Sequence, residues 1–156
     1  MASMNRMLAS TMWILAALTV FAGCTAPGIG DPCIPESIPM GGFVGSEAYL
    51  ETSSVQCRTR VCMVYQLDGI PFGGTDGTTT CRTDADLIAN PDCASRDETD
   101  ARVYCTCRCD APPESSASLC DCTEGFACVE VINQPGAGLG IRGDYCVKDG
   151  TFDSDT

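Results

Sequence analysis

The sequence predicts a small disulfide-rich domain of short β-strands, hairpins and irregular loops, with little helix outside an N-terminal signal segment. Two observations lead to this fold class. The 156-residue chain contains 13 cysteines, a density typical of small cross-linked exported domains. After residue 23, only 24 of 133 residues are Leu, Ile, Val or Phe, too few for an ordinary core in so charged a chain. We therefore expect disulfides to supply the stability that the core lacks.

The stretch from Cys105 to Cys109 organises the predicted cross-links. Its three cysteines stand at alternate positions, so in an extended strand they project from one face. Neighbours on that face lie roughly 7 Å apart, too far for a relaxed disulfide, and each therefore needs a partner elsewhere. Cys120, Cys122 and Cys128 follow within twenty residues and could supply such partners.

The cysteines after residue 24 divide into a sparse group and a dense group. The first is Cys33, Cys57, Cys62, Cys81 and Cys93; the second is Cys105, Cys107, Cys109, Cys120, Cys122, Cys128 and Cys146. Because both groups have an odd number of members, complete pairing requires at least one disulfide between them. We predict one domain, residues 33–149, followed by a polar tail at 150–156. Thiolates at C-x-C spacing also bind soft metals, but an exported chain favours disulfides.

Short strands and turns make up the predicted secondary structure. Strands are predicted at residues 61–67, around Tyr49, at 126–132 and at 144–148, where β-branched and aromatic residues concentrate. Residues 83–101 are the one segment in which we expect a helical turn or two. Residues 70–80 are rich in glycine and are predicted to form a loop.

The N-terminus has the layout of an export signal. Arg6 precedes residues 7–23, an uncharged and largely apolar run. This run is at the lower length limit for crossing a bilayer, so a retained transmembrane anchor is the alternative. In either case the charge bias of insertion keeps Arg6 inside, and everything after residue 23 is exported.

The end of this run resembles the lipobox of bacterial lipoproteins. Ala22, Gly23 and Cys24 match the pattern, whereas Phe21 stands where Leu is usual. The resemblance implies that cleavage before Cys24 removes residues 1–23 as a signal peptide. It also implies a diacylglycerol on the Cys24 sulfur and an acyl chain on its new amino group. Several acyl chains anchor a protein stably.

Cysteine number supports lipidation independently. Thirteen cysteines cannot all pair, and removing Cys24 leaves twelve, which can. The mature chain would begin with a Gly/Pro-rich tether, residues 24–32. By analogy with lipoproteins, Thr25 favours sorting to the outer membrane, on its periplasmic or cell-surface side. The membrane, reached through the lipid on Cys24, is therefore the predicted first partner.

A strongly acidic composition limits the other partners. The formal net charge of −12 argues against nucleic acid or anionic headgroups as electrostatic partners. Six acidic residues crowd the segment around Cys93: Asp84, Asp86, Asp92, Asp97, Glu98 and Asp100. Such a density of oxygen ligands suits Ca²⁺, but the segment lacks the D-x-D-x-D-G spacing of a cation loop. We favour a solvated charged face, with a weak Ca²⁺ site as the alternative.

The chain as a whole resembles the uncharacterised cysteine-rich lipoproteins encoded by large-genome Gram-negative bacteria. The shared elements are the lipobox and residues 30–33, 104–109, 120–122, 125–126 and 145–148. The likeness implies export and lipid anchoring, and it implies no particular activity.

Histidine and the common catalytic motifs are missing from the sequence. The chain has no histidine, no C-x-x-C pair, and no glycine-rich phosphate loop between a predicted strand and a helix. We predict a non-catalytic protein without a cofactor, with a binding or envelope-structural role. The alternative is an inhibitor-like module, in which the disulfide frame presents a loop such as residues 70–80 to an unknown partner enzyme.

Overall fold

The computed structural model describes residues 28–152. The predicted signal peptide, the predicted lipidation site Cys24 and the last four residues lie outside the described residues. The strands are β1 (Ala48–Glu51), β2 (Val61–Tyr65), β3 (Val103–Thr106), β4 (Arg108–Asp110), β5 (Phe126–Ile132) and β6 (Gly143–Lys148), and the helices are α1 (Asp84–Ala89) and α2 (Arg96–Arg102). The predicted fold class, a small disulfide-rich domain of short strands with little helix, is confirmed.

Two antiparallel three-stranded sheets form the domain, in the orders β1-β2-β3 and β4-β6-β5. β2 is the central strand of the first sheet, and four of its five residues are buried, which explains its continuous run of apolar and β-branched residues. The strand predicted at residues 61–67 ends earlier, at Tyr65. Gln66 adopts a left-handed φ of 52°, which turns the chain out of the sheet.

The predicted strand from Cys105 to Cys109 is wrong as a single element. β3 ends at Thr106 in the first sheet, and β4 begins at Arg108 in the second. At the break, the Cys107 carbonyl accepts a hydrogen bond from the Cys146 amide at 3.1 Å, and the Thr106 hydroxyl donates to the Cys146 carbonyl at 2.7 Å. Contacts with β6 therefore draw the chain from one sheet into the other.

Two clusters of buried side chains fill the domain. Because side chains alternate along β2, Val64 belongs to the first cluster and Met63 to the second. The first cluster also contains four half-cystines: Cys33, Cys57, Cys62 and Cys105. The second includes Tyr145 and Val147 of β6, so it lies between the two sheets and joins them.

Tyr104 of β3 is one of the tyrosines buried between the sheets. Its hydroxyl accepts a hydrogen bond from the Lys148 amide at 2.9 Å, and its ring meets the Phe126 ring edge-on, with centroids 5.4 Å apart. Burial raises the pKa of Tyr104 to about 12, so the phenol stays neutral at physiological pH. The side chain thus binds β3 to both β5 and β6.

The end of the predicted tether is part of the sheet edge. The Gly30 amide donates to the Cys105 carbonyl at 2.9 Å, and the Cys105 amide donates to the Asp31 carbonyl at 2.8 Å. Gly30 has a φ of +86°, and a Cβ there would lie 2.8 Å from the Phe126 ring, so only glycine fits. Gly30, six positions after Cys24, is therefore fixed to the first sheet.

Candidate functional site

All twelve cysteines of residues 28–152 are paired. The disulfides are Cys33–Cys62, Cys57–Cys105, Cys81–Cys93, Cys107–Cys120, Cys109–Cys128 and Cys122–Cys146. Cα–Cα separations run from 5.4 to 6.3 Å, within the usual range. Each of the three alternating cysteines bonds outside its own triplet. Cys57–Cys105 joins the sparse and dense groups of cysteines.

Three disulfides of the second sheet pack against one another. The Cys146 sulfur lies 3.9 Å from the sulfurs of both Cys107 and Cys120. At the other end of its bridge, the Cys122 sulfur lies within 4.8 Å of the sulfurs of Cys109 and Cys128. Cys122–Cys146 is thus the middle bridge of three. Because these sulfurs are bonded in pairs, they offer no thiolate ligands to a soft metal.

Two of the acidic residues predicted around Cys93 cap short helices. The Asp86 carboxylate accepts from the backbone of Thr83, whose hydroxyl accepts from the Asp86 amide, and Ser95 and Glu98 repeat this capping box in α2. The hydrogen bond from the Arg82 amide is the largest cause that lowers the pKa of Asp86. The Ser95 hydroxyl does most to lower the pKa of Glu98. Both carboxylates therefore have a local structural role.

The remaining acidic residues of that segment are not gathered into one cluster of ligand atoms. Asp84 pairs with Arg96 at 3.1 Å, with both side chains largely exposed. Asp92, Asp97 and Asp100 are exposed. In the described part of the chain, groups of three or more candidate metal-ligating side chains whose ligand atoms all lie within 4.8 Å contain cysteines only. The acidic side chains of the weak Ca²⁺ site considered from sequence are thus not among these groups, and that site stays a prediction.

The loop predicted at residues 70–80 is exposed only at its tip. Ile70 is fully buried, and the Cys81–Cys93 disulfide closes the base. At the tip, the Asp76 carboxylate accepts hydrogen bonds from the amides of Thr79, Gly41 and Thr78 at 2.6, 2.8 and 2.8 Å. These bonds, that from Thr79 foremost, lower the pKa of Asp76 well below its ordinary value. The tip is therefore an ordered turn.

A polar cleft crosses the second sheet. Asp144 of β6 stands directly opposite Asp110 of β4 and Glu130 of β5, so three carboxylates form one row. They line a cavity of about 290 Å³ together with Arg142 and other residues. Gly143 has a φ of +137°, and a Cβ there would collide with the Asp110 carbonyl oxygen. Glycine therefore permits the close approach of β4 and β6 that forms the cleft.

The row of carboxylates predicts a pH-dependent stability. Burial first, and then repulsion by Asp110 and Glu130, raises the pKa of Asp144. A raised carboxyl pKa means that the folded state disfavours the charged form. Asp144 therefore lowers the free energy of unfolding, and this loss grows as pH rises from the pKa of Asp144 in the unfolded state to its raised pKa in the folded state. Asp144→Asn should give a small rise in melting temperature at pH 7, and no rise at pH 3. A rise of equal size at both pH values would contradict this assignment, and Asp121→Asn, outside the cleft, is the matched control.

A second polar region surrounds Arg108, on β4. The residue is 8% exposed. The Nε–H donates to the Tyr145 hydroxyl at 3.2 Å, and Nη1 lies 3.4 Å from the Leu139 carbonyl and from the Ser115 hydroxyl. Nη2 donates to the Gly140 carbonyl. Two cavities of about 180 and 260 Å³ adjoin this side chain.

Comparisons with protein-family models, with curated proteins and with solved structures find no match for this chain. Functional inference therefore rests on sequence and geometry alone.

Gly138, Gly140 and Gly143 stand at G-x-G-x-x-G spacing, but they lead into β6 rather than into a helix, so they lack the structure of a dinucleotide-binding loop. Within residues 28–152, no helix combines the length and the apolar character that crossing a membrane requires.

The carboxylate cleft and the Arg108 region are the two candidate sites that sequence patterns did not predict. Asp110, Glu130 and Asp144 come from three strands whose register is fixed only in the folded sheet. Alternation along a strand from Cys105 to Cys109 places Arg108 on the face opposite the cysteines, but alternation alone does not predict that it is buried. One signal was present: an arginine between two cysteines of a disulfide-rich strand is flanked by groups that are themselves buried.

Proposed function

We propose that this chain is a non-catalytic lipoprotein of a bacterial cell envelope, anchored to the outer membrane through lipid on Cys24. Disulfide pairing carries the proposal. Six disulfides use every cysteine of residues 28–152, so the thirteenth cysteine, Cys24, has no partner left in the chain. Lipidation is the fate of this sulfur that also accounts for Ala22 and Gly23 before it.

The domain would lie close to the membrane. Gly30 is hydrogen-bonded to the first sheet, and it lies six positions after Cys24 in the chain. At 3.3–3.6 Å per extended residue, this link spans at most about 20 Å. A lipid on Cys24 would therefore hold the Gly30 end of the domain near the headgroups, with the clefts presented from a stapled frame.

A binding role fits this frame better than a purely structural one. Six cross-links fix the loops around the two polar regions, and a preordered site loses less conformational entropy when a ligand binds.

Metabolic labelling with an alkyne-tagged palmitate tests the anchor. We expect the wild-type protein to incorporate the label and Cys24→Ala to incorporate none. Label retained by Cys24→Ala would contradict the proposal.

An inhibitor-like module is the second candidate, and the ordered tip of the loop at residues 70–80 favours it. Asp76→Ala removes the carboxylate that organises this tip. If the tip occupies a protease active site, wild-type protein should inhibit that protease and resist cleavage at residues 75–80, whereas Asp76→Ala should be cleaved there and lose inhibition. Limited proteolysis of the intact protein measures both effects. Exposed Asp97→Ala is the control, and wild-type protein that inhibits none of the main protease classes would refute this candidate.

A further inference from the structure

Arg108 carries a buried charge without a compensating acid. Arg108 as a residue is more than nine-tenths buried, and all four hydrogen-bond acceptors of its guanidinium are neutral, being two carbonyls and two hydroxyls. The one ion pair among the described residues joins Arg96 to Asp84. Buried arginines are ordinarily paired with an anion, and Arg108 lacks such an anionic partner in the described part of the chain.

The smaller cavity beside Arg108 is suited to such a partner. Its volume of about 180 Å³ is several times the roughly 30 Å³ of a water molecule. No acidic side chain lines it, although the chain has 21 acidic residues. The Thr59 side chain lines this same cavity, and its buried hydroxyl makes no hydrogen bond. The Arg108 cation and the unpaired Thr59 hydroxyl thus line the same cavity, which no acidic side chain lines.

Arg108 also retains donor capacity. A guanidinium has five N–H groups, and both contacts of Nη1, to Leu139 and Ser115, are at 3.4 Å, longer than the usual 2.7–3.2 Å. Nη2 donates to Gly140, which lines the smaller cavity, and its second N–H makes no hydrogen bond within residues 28–152, so an oxyanion there could take a charge-assisted hydrogen bond from Nη2.

We propose that this cavity binds a small oxyanion, namely a carboxylate, sulfate or phosphate group. Arg108 supplies the charge, and the Thr59 hydroxyl donates a hydrogen bond to the anion. The neighbouring cavity of about 260 Å³ includes Glu114, whose charge disfavours an anion there, so the smaller cavity is the binding space. This inference goes beyond the proposed lipoprotein function and does not depend on the anchor.

Thermal unfolding of the full, detergent-solubilised protein tests the proposal. Sodium acetate, sulfate and phosphate are each compared with sodium chloride at equal ionic strength. At least one oxyanion should raise the melting temperature above the chloride value and do so saturably. A carboxylate site will prefer acetate, whereas a tetrahedral oxyanion site will prefer sulfate or phosphate.

Variants separate a site from a general salt effect. Thr59→Val keeps the side-chain shape and removes an unpaired buried hydroxyl, so the anion-free protein should be as stable as wild type or more so. Its affinity for the preferred oxyanion should fall about tenfold or more, and Arg108→Gln should abolish binding. Exposed Thr123→Val is the control and should bind normally. The proposal is overturned if no oxyanion exceeds chloride, or if Thr59→Val responds like wild type.

Discussion

Replacement of both Cys57 and Cys105 by alanine is expected to prevent folding of the domain at 37 °C. This disulfide closes the longest loop, with a sequence separation of 48 residues, for which loop-closure entropy corresponds to about 4 kcal/mol. Both cysteines are almost fully buried in the first core cluster, so their loss also leaves a cavity. Small secreted domains that lose a native disulfide often fail to fold at this temperature.

The matched control is the pair Cys81→Ala and Cys93→Ala. This bridge spans only 12 residues, which corresponds to about 3 kcal/mol, and Cys93 is only partly buried. We expect this variant to fold with a lowered melting temperature. Circular dichroism and thermal unfolding of both double variants measure the difference. Equal melting temperatures for the Cys57/Cys105 variant and wild type would contradict the claim that this disulfide is needed for folding.

Replacement of Cys24 by alanine is expected to release the protein from the membrane or to block its maturation. Acyl chains contribute about 0.8 kcal/mol per buried methylene, and two or more chains give stable anchoring. Without the acceptor sulfur, the chain should either accumulate with residues 1–23 uncleaved or appear in the soluble fraction. Membrane fractionation followed by immunoblotting measures the distribution.

Phe21→Leu is the control for this experiment. It restores the residue usual in a lipobox, so processing and membrane association should be at least as efficient as in wild type. If Cys24→Ala instead retains wild-type membrane association and mobility, residues 7–23 act as a retained transmembrane anchor, and the lipoprotein proposal is wrong.

Local patterns predicted the strands well where the turn signals were local too. β5 was predicted at residues 126–132 and has those bounds, because apolar residues run between Gly125 and the turn at residues 134–136. The helical turns predicted within residues 83–101 are two helices. Each begins with a capping box, Thr83 with Asp86 and Ser95 with Glu98. The residues of this motif stand in the sequence and mark where each helix begins.

Non-local contacts explain what the sequence did not predict. The break between β3 and β4 depends on two hydrogen bonds with Cys146, about forty residues away: the Thr106 hydroxyl donates to its carbonyl, and its amide donates to the Cys107 carbonyl. Alternation alone gave the correct reason for disulfides outside the triplet but could not identify their partners. The carboxylate cleft and the burial of Arg108 likewise depend on register across three strands, which no local pattern encodes.

The central claim is that twelve cysteines staple the domain while the thirteenth anchors it. Mass spectrometry of the protein purified from membranes under non-reducing conditions tests this most directly. We expect an N-terminal peptide that begins at Cys24 and carries diacylglycerol and an acyl chain, six disulfides with the pairings given above, and no free thiol. A chain that retains residues 1–23 with a free Cys24 thiol, or one in which Cys24 forms a disulfide, would contradict the claim.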